Sequence, residues 1–79
     1  MRLTIRLFGA FRSMGASIEC DVNPGTTIKD LKNFLVKERG FDSNLLSDSA
    51  IACEEEIVQE DFVLKGDCQL AVLPPVCGG

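Results

Sequence analysis

Two stretches near the start of the sequence alternate apolar and polar side chains. Leu3, Ile5 and Leu7 are separated by polar residues, and the same pattern returns between residues 17 and 22. A period of two predicts a β-strand that buries one of its faces. Residues 8–15, which join the two stretches, are rich in glycine and small residues. The first part of the chain therefore predicts an antiparallel hairpin with a long loop.

The polar face of this hairpin carries opposite charges on its two strands. Arg2 and Arg6 belong to the first strand, and Glu19 and Asp21 belong to the second. We expect each arginine to face an acidic side chain across the hairpin, with each pair contributing roughly 0.2–1 kcal/mol. Phe8 directly follows the first strand, and the alternation places its side chain on the same exposed face as Arg2 and Arg6.

A helix is predicted for residues 27–39. Its apolar residues recur at helical spacing and share one stripe, made of Ile28, Leu31, Phe34 and Leu35. Thr27 and Asp30 have the spacing of a capping box, and Gly40 provides a stop at the other end. An apolar stripe of this kind packs against a sheet, so no ligand is assigned to it.

The second half of the chain predicts a polar connection and three more strands. Residues 41–48 form the connection, and residues 49–53 and 56–58 predict two short strands joined by a tight turn. Residues 60–64 predict a helical turn. Residues 68–73 are the most apolar stretch, and apolar residues on both faces are typical of a central strand. The order ββαββ predicts an α+β roll, a mixed sheet with one main helix packed across it and the first and last strands parallel at its centre.

The last six residues predict a tail that follows the domain. They are Pro74, Pro75, Val76, Cys77, Gly78 and Gly79. We expect residues 1–73 to fold and residues 74–79 to remain flexible, with the prolines holding the exit extended. Two glycines let a tail enter a narrow channel with its carbonyl group open to attack. The predicted chemistry is acyl transfer at the carboxylate of Gly79. Gly78 is predicted to let the tail pass through the channel without a steric clash. The alternative is a frayed end without function.

Charge and cysteine content narrow the class of protein. The net charge is −4, and residues 41–79 carry one basic and eight acidic side chains. An acidic half disfavours nucleic acid as a partner and favours a basic protein surface. The chain has no histidine and no close pair among its four cysteines, which disfavours a metal site. No apolar run is long enough to cross a bilayer and no signal peptide is visible, so we predict a cytoplasmic protein.

The last strand and the tail resemble those of the ubiquitin-like sulfur carriers, which have the β-grasp fold. Residues 70–79 are similar to the apolar strand, Pro-Pro-Val and terminal Gly-Gly of the small subunit of molybdopterin synthase. Phe8-Gly9-Ala10 and the Thr26-Thr27-Ile28 opening of the helix support the resemblance. Three positions depart from the family pattern: the turn at Glu54-Glu55, Cys68 in place of an acidic residue, and Cys77 in place of a small one.

The resemblance implies a carrier with no catalytic activity of its own. A ubiquitin-activating-like adenylyltransferase would use ATP to activate Gly79, and the persulfide of a sulfurtransferase would turn it into a thiocarboxylate, so the chain itself would bind no cofactor. The large catalytic subunit, in a heterotetramer with this chain, would pass the sulfur to the dithiolene of molybdopterin. The contacts predicted with that subunit are Phe8, Leu73, Pro74, Pro75, Val76 and Cys77. A thiamine-type sulfur carrier and a ubiquitin-like protein modifier are the alternatives.

Overall fold

A computed structural model describes residues 1–75; Val76, Cys77, Gly78 and Gly79 lie outside the described residues. The strands are β1 (Arg2–Leu7), β2 (Ser17–Asp21), β3 (Ala50–Cys53), β4 (Glu56–Val58) and β5 (Cys68–Leu73). They form one sheet in the order β2-β1-β5-β3-β4, in which β1 and β5 are parallel and the other pairs antiparallel. The helices are a 3₁₀ helix (Gly9–Met14), α1 (Ile28–Arg39) and α2 (Ser43–Ser47). The predicted β-grasp roll, with β5 in its centre, is confirmed.

Helix α1 begins at the predicted capping box. The Thr27 hydroxyl accepts a hydrogen bond from the Asp30 backbone N–H at 3.1 Å, and the Asp30 carboxylate accepts one from the Thr27 N–H. Gly40 ends the helix in the left-handed conformation, which glycine adopts without steric cost. The helix covers one face of the sheet. The core between them is formed by Leu3, Ile5, Leu7, Ile28, Leu31, Leu35, Ile51, Leu70 and Val72, and it is completed by Phe11, Cys20, Phe41, Leu46 and Leu64.

The connection between β1 and β2 is more structured than the sequence predicts. Its 3₁₀ helix buries Phe11, and the ring of Phe11 stacks on that of Phe41 with their centroids 5.3 Å apart. The predicted antiparallel hairpin is confirmed, and burial of this aromatic ring orders the long loop that joins its strands. An aromatic pair of this kind contributes about 0.5–1.5 kcal/mol beyond the area that it buries.

Only one of the two predicted arginine pairings forms across the hairpin. Arg2 contacts Glu19 at 3.2 Å and Asp21 at 3.4 Å. The prediction for Arg6 is wrong because the register places it opposite Ser17. The Arg6 guanidinium lies instead over the ring of Phe8, 5.4 Å from its centroid.

Two further predictions are corrected in the second half of the chain. Residues 41–48 contain the short helix α2, which buries Leu46. The segment 60–64 is a turn followed by an isolated bridge between Val63 and Thr27, and not a helical turn. The physical reason is that its backbone carbonyl groups accept hydrogen bonds from the first N–H groups of α1, which have no partner inside the helix.

Candidate functional site

The face of the sheet opposite α1 carries a small apolar patch. Ala71 of β5 pairs with Ala52 of β3, which pairs with Ile57 of β4. On the other side of β5, the last parallel pair is Leu7 with Val72, so continuing the register by one residue places Phe8 beside Leu73. We refer to Phe8, Ala52, Ile57, Ala71 and Leu73 as the open-face patch.

The open-face patch is partly accessible to solvent because α1 covers the opposite face of the sheet. Ile57 is 63% exposed, Ala52 is buried, and Phe8, Ala71 and Leu73 are half-buried. An exposed apolar patch on a small domain marks an interaction surface more often than chance. Phe8 and Leu73 thus lie on the uncovered face, where the strand parity placed them, and their contact with a partner stays a prediction.

Charged side chains border the open-face patch with opposite signs on its two sides. Arg6 lines two shallow depressions; Phe8 and Arg12 border the first, whereas Glu54 and Glu55 border the second. The acidic side is held in place because the Glu54 carboxylate accepts a hydrogen bond from the Gln69 backbone N–H at 3.1 Å. A complementary partner would present acidic groups toward Arg6 and Arg12 and basic groups toward the acidic turn.

The tail leaves the domain next to this patch. Pro74 and Pro75 follow Leu73 directly, and Pro74 is half-buried. The structure therefore brings Phe8, Leu73 and Pro74 together at the end of the two central parallel strands. The other predicted site residues, Val76, Cys77, Gly78 and Gly79, lie outside the described residues.

The three described cysteines face the core side of the sheet. Cys20 is buried, and Cys53 and Cys68 are half-buried diagonal neighbours on β3 and β5. Burial raises the pKa of Cys68 to about 11, and the Cys53 thiol and the carboxylates of Glu54 and Asp67 add to the shift. A thiol with a raised pKa stays protonated at neutral pH and is a poor nucleophile. Cys68 therefore provides no reactive thiolate at neutral pH.

Within residues 1–75, no three Cys, Asp or Glu side chains come together so that they could hold a metal ion. In the same part of the chain, no helix is both long enough and apolar enough to cross a membrane.

Sequence reasoning missed the part of the patch that β3 and β4 provide. Ala52 and Ile57 join Ala71 only because β3 pairs with β5 and β4 with β3. The alternation of residues 49–53 predicts a strand but not its neighbour. The strand order of the β-grasp fold was the one signal that would have located these residues.

The five-strand sheet with one helix across its face defines the ubiquitin-like β-grasp class. The ThiS family profile matches residues 5–79. The chain belongs to the ThiS family of ubiquitin-like sulfur carriers.

Several solved structures are similar to this chain. A candidate molybdopterin converting factor subunit 1 from Pyrococcus furiosus is 23% identical, with a TM-score of 0.77 and coverage of 96% of this chain and 99% of that one. The complex of subunits 1 and 2 of molybdopterin-converting factor from Helicobacter pylori contains a chain that is 26% identical, with a TM-score of 0.71 and full coverage of both chains. SAMP1 from Haloferax volcanii is 21% identical, with a TM-score of 0.75 and full coverage of both chains. A direct comparison with curated protein sequences found no significant match.

Proposed function

We propose that this chain is the sulfur-carrying small subunit of molybdopterin synthase. The observation that carries the proposal is its full-length likeness to the converting-factor chain of Helicobacter pylori, which was solved as a complex of subunits 1 and 2. By this proposal the chain has no catalytic activity of its own, works in the cytoplasm, and forms a heterotetramer with the large catalytic subunit.

The proposed chemistry takes place at the carboxylate of Gly79. A carboxylate resists nucleophiles because it is anionic and has no good leaving group, so it must be activated. An adenylyltransferase of the ubiquitin-activating kind transfers AMP from ATP to the carboxylate and releases pyrophosphate. A persulfide sulfur of a sulfurtransferase attacks the acyl carbon and displaces AMP, and a thiol then reduces the acyl disulfide to free the thiocarboxylate. Gly78 gives the tail clearance, and ATP is bound by the activating enzyme.

The open-face patch is the proposed docking surface for the large subunit. Phe8 and Leu73 supply apolar contact area beside the point where the tail leaves the domain, and the charged rims fix the orientation. Docking there would direct Pro74, Pro75 and the residues that follow toward the partner's active site. The thiocarboxylate is a stronger nucleophile than a carboxylate, so it can deliver sulfur to an electrophilic pterin carbon once the two are held together.

A protein-modifier role is the second candidate, and the likeness to SAMP1 favours it, since another structure describes the Haloferax volcanii protein as small archaeal modifier protein 1. A modifier would use the same activated Gly79 but would form an isopeptide bond with a lysine of a target protein. A thiamine-type carrier, the remaining alternative, would use the same thiocarboxylate and deliver its sulfur to a different enzyme.

Genetic complementation tests the proposed pathway. The chain is expressed in one strain that lacks its molybdopterin synthase small subunit and in another that lacks its thiamine sulfur carrier. We expect molybdoenzyme activity to return in the first strain and thiamine auxotrophy to persist in the second. A chain that lacks Gly79 is the matched control and should restore neither. Rescue of the thiamine strain alone would replace the proposed pathway with the thiamine one.

A further inference from the structure

Gly9 and Pro74 touch each other where the two central strands end. Gly9 is the first residue of the 3₁₀ helix after β1, and Pro74 is the first residue after β5. A β-carbon placed on Gly9 would lie only 2.7 Å from Cγ of Pro74, and 3.8 Å from its Cβ and Cδ. The contact continues the parallel register of β1 and β5, since two residues beyond the pair of Leu7 and Val72 come Gly9 and Pro74.

Two separate features make glycine necessary at this position. The first is the backbone, because Gly9 has a φ of 57° in the left-handed region that residues with a β-carbon rarely adopt. The second is space, because two carbon atoms in contact are ordinarily about 3.5–4.0 Å apart. The proline ring belongs to the backbone and fixes its φ. A side chain at position 9 would therefore press on the backbone of the tail where it begins.

We propose that Gly9 is a positioning residue for the tail: its bare α-carbon seats Pro74 and sets the direction in which the chain leaves β5 toward Gly79. The inference rests on the proposed function, because direction matters only if Gly79 must reach an active site. From Pro74 to Gly79 the chain can reach about 17 Å at roughly 3.3 Å per residue. A change of direction at Pro74 changes the region that the following residues can reach, and a displacement of about 1 Å in a reacting group can cost on the order of 100-fold in rate.

A glycine elsewhere in the chain supplies a matched control. Gly40 has a φ of 73°, also left-handed, and a β-carbon placed on it would meet nothing within 4 Å. Gly9→Ala and Gly40→Ala therefore impose similar backbone strain, but only Gly9→Ala pushes on Pro74. A double variant, Gly9→Ala with Pro74→Ala, keeps the strain at position 9 and removes the ring carbon that the new methyl group would meet.

The experiment measures steady-state thiocarboxylate formation with a cognate activating enzyme, ATP and a sulfur donor. We expect Gly9→Ala to lower kcat at least tenfold with KM changed less than twofold, because the substitution redirects the tail and leaves the rest of the domain surface unchanged. Gly40→Ala should keep kcat within twofold of the unmodified chain, and the double variant should recover most of the loss. Thermal unfolding of the two single variants should be similar, which separates positioning from stability. If Gly9→Ala does not fold, Gly9→Asn carries the same test, since asparagine tolerates left-handed backbone better.

The outcomes separate the inference from the proposed function. If the unmodified chain acquires sulfur and Gly9→Ala is no slower than Gly40→Ala, the positioning role is wrong and the carrier function stands. If the double variant is as slow as Gly9→Ala, the contact with Pro74 is not the cause, and the inference is equally wrong. If the unmodified chain gains no sulfur, the proposed function fails and the inference falls with it.

Discussion

The ammonium group of Lys32 lies 2.8 Å from a carboxylate oxygen of Glu60. It also donates a hydrogen bond to the backbone carbonyl of Ser49 at 2.8 Å, although only 8% of Lys32 is exposed. A lysine is rarely buried this far unless its charge is paired. The contacts join α1 to the residue before β3 and to the segment after β4. Because α1 packs on the other face of the sheet from the open-face patch, we interpret this cluster as structural.

Removal of the Glu60 charge should destabilise the fold. Glu60→Gln leaves the Lys32 ammonium with a neutral partner, and we expect the free energy of unfolding to fall by about 1–2 kcal/mol, discounted for the exposed position of Glu60. Asp61→Asn is the control, because it removes one negative charge from the neighbouring exposed residue. Urea denaturation measures both. Equal losses in the two variants would show that the ion pair contributes nothing specific.

A charge in the open-face patch should weaken binding of the large subunit without unfolding the chain. Leu73→Asp buries a carboxylate in the proposed interface, and we expect the dissociation constant to rise at least tenfold, which corresponds to about 1.4 kcal/mol. Val63→Asp is the control because Val63 is 41% exposed but pairs with the start of α1, outside the patch. Calorimetric titration provides the affinities. If Leu73→Asp binds as tightly as Val63→Asp, the interface lies on another surface.

The Cys68 thiol should react slowly at neutral pH and faster as the pH rises. Its pKa of about 11 keeps it protonated, whereas an ordinary thiol has a pKa of about 8.5. We expect alkylation by iodoacetamide at pH 8 to be at least tenfold slower than that of glutathione, as measured by peptide mass mapping. Fast alkylation at this pH would contradict the raised pKa.

The same raised pKa predicts how stability depends on pH. Between the pKa of the unfolded chain and that of the folded one, the folded state holds more protons, so the free energy of unfolding falls as pH rises. The contribution is fully present below the ordinary thiol pKa and is lost as pH rises toward about 11. Cys68→Ser should flatten this part of the stability profile, and an unchanged slope would assign the pH dependence to other groups.

The sequence predicted those secondary-structure elements that are determined by residues close together in the chain. The alternation around Ile5 predicted the first strand, and the spacing of Thr27 and Asp30 predicted the start of α1. Both predictions succeeded because strand parity and helix capping depend on neighbours in sequence. The burial of Phe11 was missed because its stacking partner, Phe41, is thirty residues away. The buried state of Lys32 was missed for the same reason, since its partners come from two distant segments.

The residues of the candidate site also fall into two groups: some were predicted from local patterns, and others depend on contacts between distant segments. Parity alone located Phe8 and Leu73 on the uncovered face, because each lies at the end of a strand whose alternation is plain. The register of the hairpin could not be read from its charges, so Arg6 was assigned an acidic partner that it lacks among the described residues. The contact between Gly9 and Pro74 depends on β1 and β5 being adjacent and in a particular register, which no local pattern specifies.

The measurement that tests the carrier function most directly is the intact mass of the chain after incubation with ATP, a cognate activating enzyme and a sulfur donor. The thiocarboxylate predicts a gain equal to one oxygen-to-sulfur exchange, and fragmentation should map it to Gly79. A chain lacking Gly79 serves as the control and should keep its mass. If the unmodified chain shows no exchange, and cell extracts contain it in isopeptide linkage to other proteins, the carrier function is wrong and the modifier role replaces it.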